Sequence, residues 1–442
     1  MPDNANKPYP WDPYSDQPHI LRDKAFKKTL YKKGAISSIK TFLLSASLPL
    51  FALRVLCSPR FQTQQPLNAI GLCVNPDFPL ADKTQPSTAN LRNLVDELAV
   101  DQLLIRIPLA DIDQLQDYLD FIAAFDDKKI LINILQDRVH IEDAELTRAS
   151  LRRIFSACQS ISSEFQIGNA VNRRKWGFIS QDEYCHFFKV IQDLRDQEFP
   201  QLKLYGGNVI DFELPCFLRS LIHGFAIRFD ACTTQLYVDR RGAPENTQMG
   251  CDTLAKIHWF SSILKSSRKT ANKLIITEVN WPLEGTRPWA PAYGDCMVSE
   301  TLQTTYLVRY YLLMMASGQV ERCYWHQLVA PGYGLIDNLG TTLRKRDAFY
   351  SFKILIELFG NSQSVEFTEQ DQCYRFTVKN AQGTVSAVWA NNKRSQTVLA
   401  QGQHAIDLLA QPITPDNNGH IAVSDQVSYI LDYPLSMNNP QA

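Results

Sequence analysis

The sequence predicts a (β/α)8 TIM barrel carrying a small C-terminal antiparallel β-sandwich domain. Three observations predict it. Between residues 61 and 360, short apolar runs alternate eight times with helically spaced segments, joined by short connections. The run at 274–277 is apolar or β-branched throughout, as a parallel strand covered on both faces requires. After Gly360 the period changes to short strand segments between turn signals, and helical spacing stops. An open doubly wound sheet is the competing fold. It wants a glycine-rich phosphate turn after its first strand, and Gly71-Leu72-Cys73-Val74-Asn75 is not one. The expected division is 1–60 as an N-terminal segment, 61–360 as the barrel and 361–442 as the β domain.

Taken in order, the first strand is expected at 68–74 (NAIGLCV) and the first helix at 88–98. The second strand, 102–109 (QLLIRIPL), carries Arg106 inside an apolar run. Residues 112–125 follow with Leu115, Leu119, Ile122 and Ala123 at helical spacing. Strand 129–135 with helix 143–160, and strand 164–169 with helix 183–197, make the third and fourth units. Strand 202–207 precedes a short helix at 217–223, and strand 233–238 precedes a helix at 251–267. Strand 274–277 leads to a long helix at 299–317. Strand 321–327 (ERCYWHQ) leads to the last helix, 346–358, with Gly360 at its C′ position. The β domain is expected to hold strands at 365–367, 373–378, 384–389, 396–400 and 427–431.

Composition narrows the function classes. A net charge of −1 over 442 residues, with no basic stripe interleaved with aromatics, argues against a nucleic-acid partner. The ten cysteines include no CxxC, and Cys73, Cys158, Cys232 and Cys323 lie in apolar runs, which favours buried thiols in a reducing compartment. His186, His223, His258 and His326 are scattered, and neither a nucleophile-elbow serine motif nor a phosphate loop is present. No metal or cofactor is therefore expected.

The N-terminus departs from the rest. Residues 1–20 are rich in Pro, Asp and Tyr and read as disordered. Lys24, Lys27, Lys28, Lys32, Lys33 and Lys40 then precede a 13-residue apolar run at 41–53 that contains Pro49 and ends before Arg54. A spanning helix needs about 20 apolar residues. Three readings stay open: a helix closing the bottom of the barrel, peripheral attachment to an anionic membrane surface, and a signal anchor. The compartment expected is the cytoplasm, with association at the inner membrane under the second reading and a periplasmic location under the third.

The chemistry centres on Leu274-Ile275-Ile276-Thr277-Glu278-Val279-Asn280-Trp281. A buried strand ends in a carboxylate, and in a closed α/β barrel the C-terminal strand ends line the active site. Glu278 followed by Trp281, Trp289 and Tyr293 reads as a nucleophile beside a sugar-stacking wall. The plain alternative is a Glu leaving the strand into solvent. Aromatic faces suit the C–H faces of sugar rings, though a Trp at a strand end is as readily core as platform, and Trp176, Trp281 and Trp289 carry both readings.

The fourth strand ends Gln166-Ile167-Gly168-Asn169-Ala170-Val171-Asn172, then Lys175-Trp176-Gly177. With Arg106, Tyr237, Glu278 and Trp325 on the second, sixth, seventh and eighth strands, the chain resembles the clan of retaining glycoside hydrolases built on (β/α)8 barrels. The nearest look is the β-xylosidase and α-iduronidase type, which also carries an appended β domain. The resemblance implies a carbohydrate ligand and Glu278 as nucleophile. It implies a sugar-binding set of Arg106, Asn169, Asn172, Trp176, Tyr237, Trp281, Trp289, Trp325 and His326. Asn169 would bond a sugar 2-hydroxyl. Arg106 would hold Glu278 ionised, or serve packing as a buried ion pair. Tyr237 would donate to Glu278, or be a core tyrosine, and Trp325 with His326 would form the floor.

The departure is at Ala170, where the clan has its acid/base Glu. A retaining mechanism needs two carboxyls about 5–5.5 Å apart, and a methyl group neither attacks nor protonates. Three explanations follow: a degenerate, glycan-binding relative that assists surface polysaccharide assembly; another carboxyl reaching in (Asp137, Asp211, Glu213 or Asp239); or a deliberate substitution.

Overall fold

The computed structural model describes residues 9–61, 69–76, 86–391, 396–400 and 403–434. Eight parallel strands close into a barrel in chain order. They are β1 (Ile70–Cys73), β2 (Gln102–Pro108), β3 (Lys129–Leu135), β4 (Glu164–Ile167), β5 (Lys203–Ile210), β6 (Ala231–Gln235), β7 (Leu274–Val279) and β8 (Val320–Trp325). Closure is through β8 on β1, with Cys323 beside Ile70 and Trp325 beside Leu72. Residue 68, the expected start of the first strand, lies outside the described residues.

The barrel interior is a packed layer, not a pore. Cys73, Leu104, Leu131, Tyr205, Ala231, Ile275 and Tyr324, drawn from seven of the eight strands, form one buried cluster inside the ring. Gly71 makes room for it: a Cβ there would lie 2.5 Å from the Tyr324 ring. All ten cysteines are free thiols. Burial pushes Cys73, Cys158 and Cys232 up to about 12, which keeps them protonated and inert.

Strand ends differ from expectation where the backbone turns. β4 stops at Ile167, because Gly168 (φ +86°) and Ala170 (φ +44°) leave the extended region. β5 runs on to Ile210 through a register shift between Gly206 and Val209. β6 ends at Gln235 and puts Tyr237 just beyond it, while β7 runs to Val279 and takes Glu278 into the strand. The helix expected at 112–125 splits into a 3-10 turn, Leu109–Gln114, and a helix, Leu115–Ala123. Thr88–Leu98 falls where expected, with the Ser87 hydroxyl accepting from the Asn90 N–H at 3.1 Å. Gly360 is the C-cap itself, in a right-handed conformation (φ −61°), rather than a left-handed C′ residue.

Beyond the barrel, a five-stranded antiparallel sheet and a separate two-stranded one make the C-terminal region. His404–Ile406 and His420–Val423 are strands that sequence patterning missed; each is too short to show an alternation. A buried ion pair ties this region to the barrel. Arg309 Nε donates to Glu245 Oε1 at 2.9 Å, Trp389 Nε1 donates to the same oxygen at 2.7 Å, and Arg309 Nη2 donates to Asn391 Oδ1 at 2.8 Å.

The N-terminal segment is more ordered than its composition suggests. Trp11–Asp12 and Gln17–Pro18 pair as a small antiparallel hairpin, so the disordered reading of residues 1–20 fails for 9–20; residues 1–8 lie outside the described set. The Asp12 side chain makes the turn, accepting from the Tyr14 N–H at 3.1 Å and the Ser15 hydroxyl at 2.8 Å. Three helices follow: α1 (Lys24–Lys33), α2 (Ala35–Ser45) and α3 (Pro49–Leu56). The apolar run is thus broken at residues 46–48, with Pro49 opening α3. α2 packs on Leu214–Leu221 and α3 on Thr253–Lys265, along the barrel flank rather than across its floor.

Candidate functional site

Glu278 is gripped from two sides. Arg106 Nη2 donates to its Oε2 at 2.6 Å, and the Tyr237 hydroxyl donates to its Oε1. Both donors come from strand ends, β2 and the residue pair after β6, so barrel closure makes the contact. Burial, then the Glu278 charge, raises Tyr237 well above the usual tyrosine range, so it stays a protonated donor. Burial disfavours the Arg106 charge, but the Asp16 and Glu278 carboxylates more than offset it and raise its pKa. The site is enclosed yet not sealed: the Glu278 side chain is 12% exposed and Arg106 5%.

On the β4 side, Asn169 is fully buried. Its Oδ1 accepts from Gln235 Nε2 at 2.6 Å, and Gln136 clamps its backbone, Oε1 accepting from the N–H at 2.8 Å and Nε2 donating to the carbonyl at 2.9 Å. Among the described residues, Asn169 Nδ2, Arg106 Nε, Trp325 Nε1 and His326 Nδ1 are buried with no hydrogen-bond partner. Unpaired buried polar atoms are uncommon and costly, and four on this one set of strand ends suit a polar ligand.

Ala170 is linked to the Glu278 strand through two hydrogen bonds. Its N–H donates to Asn208 Oδ1 at 2.7 Å, and Asn208 Nδ2 donates to Thr277 Oγ1 at 3.1 Å. The methyl group packs with Leu135 and Trp176, with Trp11 and Ile210 against them. Of the alternative carboxyls, Asp211 and Glu213 share Arg173, at 2.6 and 2.5 Å. Asp137 caps the Arg138–Glu142 helix. Burial pushes its carboxyl up, but the His140 side chain at 2.7 Å and backbone bonds more than offset this and hold it below the usual range. Asp239 is exposed beyond β6, its charge felt by Lys256. Asp211, Glu213 and Asp137 are thus each engaged by a cationic or imidazole partner.

Two expected contacts are better read as framework. Trp281 is fully buried, its Nε1 donating to the Gly242 carbonyl at 2.9 Å and its face stacked on Trp325 at 6.1 Å. It is core, because β7 runs past Glu278 and turns the next aromatic inward. Both ends of the Asn172 amide are engaged by Ile210 and Glu213, which use both of its N–H donors. His326 stacks on Tyr333 at 5.5 Å; burial, then Arg106 and Arg241, lower its pKa well below the usual range, so it is neutral.

Sequence reasoning missed the occupant of the mouth. Asp16, at φ +50°, accepts from Arg106 Nη1 at 2.8 Å and lies 4.0 Å from His326 Nε2. Lys175 Nζ donates to Gln17 Oε1 at 2.6 Å. Trp11 meets Trp176 edge-on at 5.7 Å, and Tyr14 meets Trp289 at 5.0 Å. It also missed Arg241, which lies 4.1 Å over the Tyr237 ring and donates to Asn280 Oδ1 at 2.5 Å. No local signal marks these residues, since their partners are distant in the chain.

Comparison with solved structures gives the same architecture. A family 39 glycoside hydrolase from Bacteroides cellulosilyticus WH2 superposes with a TM-score of 0.62 at 13% identity, over 83% of this chain and 81% of that one. The likeness is one of fold. An arabinofuranosidase gives 0.61 at 12% identity, over 84% of this chain and 98% of the other. A GH39 β-xylosidase from Caulobacter crescentus gives 0.55 at 13%, over 84% and 98%. No family model matches the chain, and no curated protein matches it.

Proposed function

We propose that the chain is a glycoside-hydrolase-like protein acting on a polysaccharide or oligosaccharide, with Glu278 as the nucleophile of a retaining-type site that lacks the usual acid/base. The observation that carries this is a strand-end carboxylate held by one guanidinium and one phenol, joined through β6 to an Asn169 amide with an unused donor. A preorganised carboxylate of this kind attacks an anomeric carbon in line with the departing oxygen. Arg106 and Tyr237, donating to its two oxygens, keep it aimed. Without an acid the leaving oxygen departs as an anion. That forgoes roughly 10²–10⁴ in rate, about 3–5 kcal/mol of barrier.

Ala170 favours a second reading, a glycan-binding or scaffold protein in surface polysaccharide assembly, because the other nearby carboxylates are engaged elsewhere. One experiment covers both. The full chain is offered dinitrophenyl glycosides of several sugars with and without azide, and in parallel a glycan array. Catalysis predicts slow aryloxide release, faster with azide as it displaces Glu278 from the glycosyl-enzyme, and absent in Glu278→Gln. Array capture without any turnover selects the binding reading. Neither turnover nor capture overturns both.

A further inference from the structure

We infer that α2 and α3 form a docking face for an anionic lipid surface. The inner side of the pair is packed: Leu44, Leu48 and Phe51 contact the core, and a Cβ at Gly34 would lie 2.8 Å from the Ile179 carbonyl. The outer side is not. Ile36, Ile39, Phe42, Leu43, Leu50, Leu53 and Leu56 are exposed, from 58% at Ile39 to 82% at Leu56. Seven of the large apolar side chains that are exposed among the described residues thus fall within these 21 positions, and a group of this size marks an interaction face.

Charge identifies the occupant. From Lys24 to Arg60 the chain holds eight Lys or Arg and no Asp or Glu. Lys40 and Arg60 pair with carboxylates of the barrel and β domain, whereas Lys24, Lys27, Lys28, Lys32 and Lys33 form no ion pair among the described residues. An apolar face flanked by uncompensated lysines complements anionic headgroups over acyl chains. No single helix among the described residues is long and apolar enough to cross a membrane; α2 and α3 reach that length and apolarity only together, across a 47° bend, and their inner side is packed on barrel helices, so the pair suits lying on a surface.

The test is co-sedimentation of the full chain with equimolar phosphatidylglycerol–phosphatidylcholine vesicles against phosphatidylcholine alone. Binding to the anionic vesicles is expected to weaken at least about tenfold in Phe42→Glu/Leu53→Glu and in Lys27→Ser/Lys28→Ser/Lys32→Ser/Lys33→Ser. Far-UV circular dichroism of each variant checks that the fold persists. No sedimentation, or equal sedimentation with both vesicles, overturns the proposal. So does a concentration-dependent dimer that Phe42→Glu/Leu53→Glu abolishes, which would make the occupant a second copy.

A separate observation assigns residues 9–20 as an intramolecular plug of the candidate site. It rests on the glycan reading above. The hairpin places one group on each wall: Asp16 on Arg106, Gln17 on Lys175, Trp11 on Trp176 and Tyr14 on Trp289. A sugar reaching Glu278 meets the same arginine and the same aromatic faces, so hairpin and ligand compete. Hydrogen exchange and glycan-array capture are compared for the full chain and for Trp11→Ala/Asp16→Ala. The variant is expected to exchange faster at 9–20 and to capture glycan at least about tenfold more strongly. Unchanged exchange overturns the plug. Faster exchange with equal capture overturns the plug and leaves the glycan reading standing. Faster exchange with no capture by either protein overturns both.

Discussion

One arginine, Arg106, answers to two carboxylates that lie 90 and 172 residues away in sequence. Its position was legible, because a charge inside the run QLLIRIPL has to find a partner. One partner, Glu278, was legible too, as the carboxylate at a matching strand end. Asp16 was not, since nothing near it in the sequence marks it as a partner for a strand-end arginine. Lys175 titrates within a pH range that unfolding measurements can reach. Burial is the main cause that lowers it from 10.5 to about 8. A lysine whose folded pKa is depressed is destabilising while charged. The penalty is full below pH about 8 and is relieved as pH rises toward the unfolded value of about 10.4. Lys175→Met is therefore expected to be more stable than the parent near neutrality, by up to about 3 kcal/mol, with the gap closing between those two pH values. Urea unfolding midpoints at intervals across that window check it, and a gap that widens with pH contradicts the assignment.

At the scale of elements, the barrel strands were readable because burial on both faces leaves a continuous apolar signature. Their ends were not, because a bulge in β5 and left-handed residues after β4 depend on neighbours. The hairpin was misread for a different reason. Pro, Asp and Tyr at 9–20 cannot build a core of their own, and order comes from docking Trp11 and Tyr14 onto a preformed mouth. The barrel filling gives a direct test. Gly71 faces the Tyr324 ring across a space smaller than a methyl group. Gly71→Ala is expected to cost about 1–3 kcal/mol by overpacking. Gly224→Ala, where nothing lies within 4 Å of the added carbon, is expected to stay within about 0.5 kcal/mol of the parent. Equal thermal shifts for the two would mean the ring yields freely.

For the molecule as a whole, the change of period after Gly360 made the two-part architecture visible, but not what joins the parts. That joint is Glu245, in the loop after β6. Its carboxylate serves both Arg309, on the long helix Glu300–Ser317, and the Trp389 indole of the β domain. Glu245 sits in a short polar stretch that reads as an ordinary loop, and only the closed structure brings its partners to it. Arg309 is 1% exposed, so losing its counter-ion strands a charge away from water. Glu245→Ala is expected to destabilise by about 3–5 kcal/mol, the usual consequence of breaking a buried pair. Arg309→Met/Glu245→Leu, which removes both charges and keeps volume, is expected to recover most of that loss. The recovery separates electrostatics from packing: a shape defect would leave the double variant as weak as the single one. Because the same carboxylate binds both units, Glu245→Ala should also split one unfolding transition into two, with the Trp389 fluorescence change preceding loss of barrel helicity. Coincident transitions by fluorescence and circular dichroism in that variant would mean the apolar contacts around Phe359, Phe376 and Tyr429 hold barrel and β domain together without it.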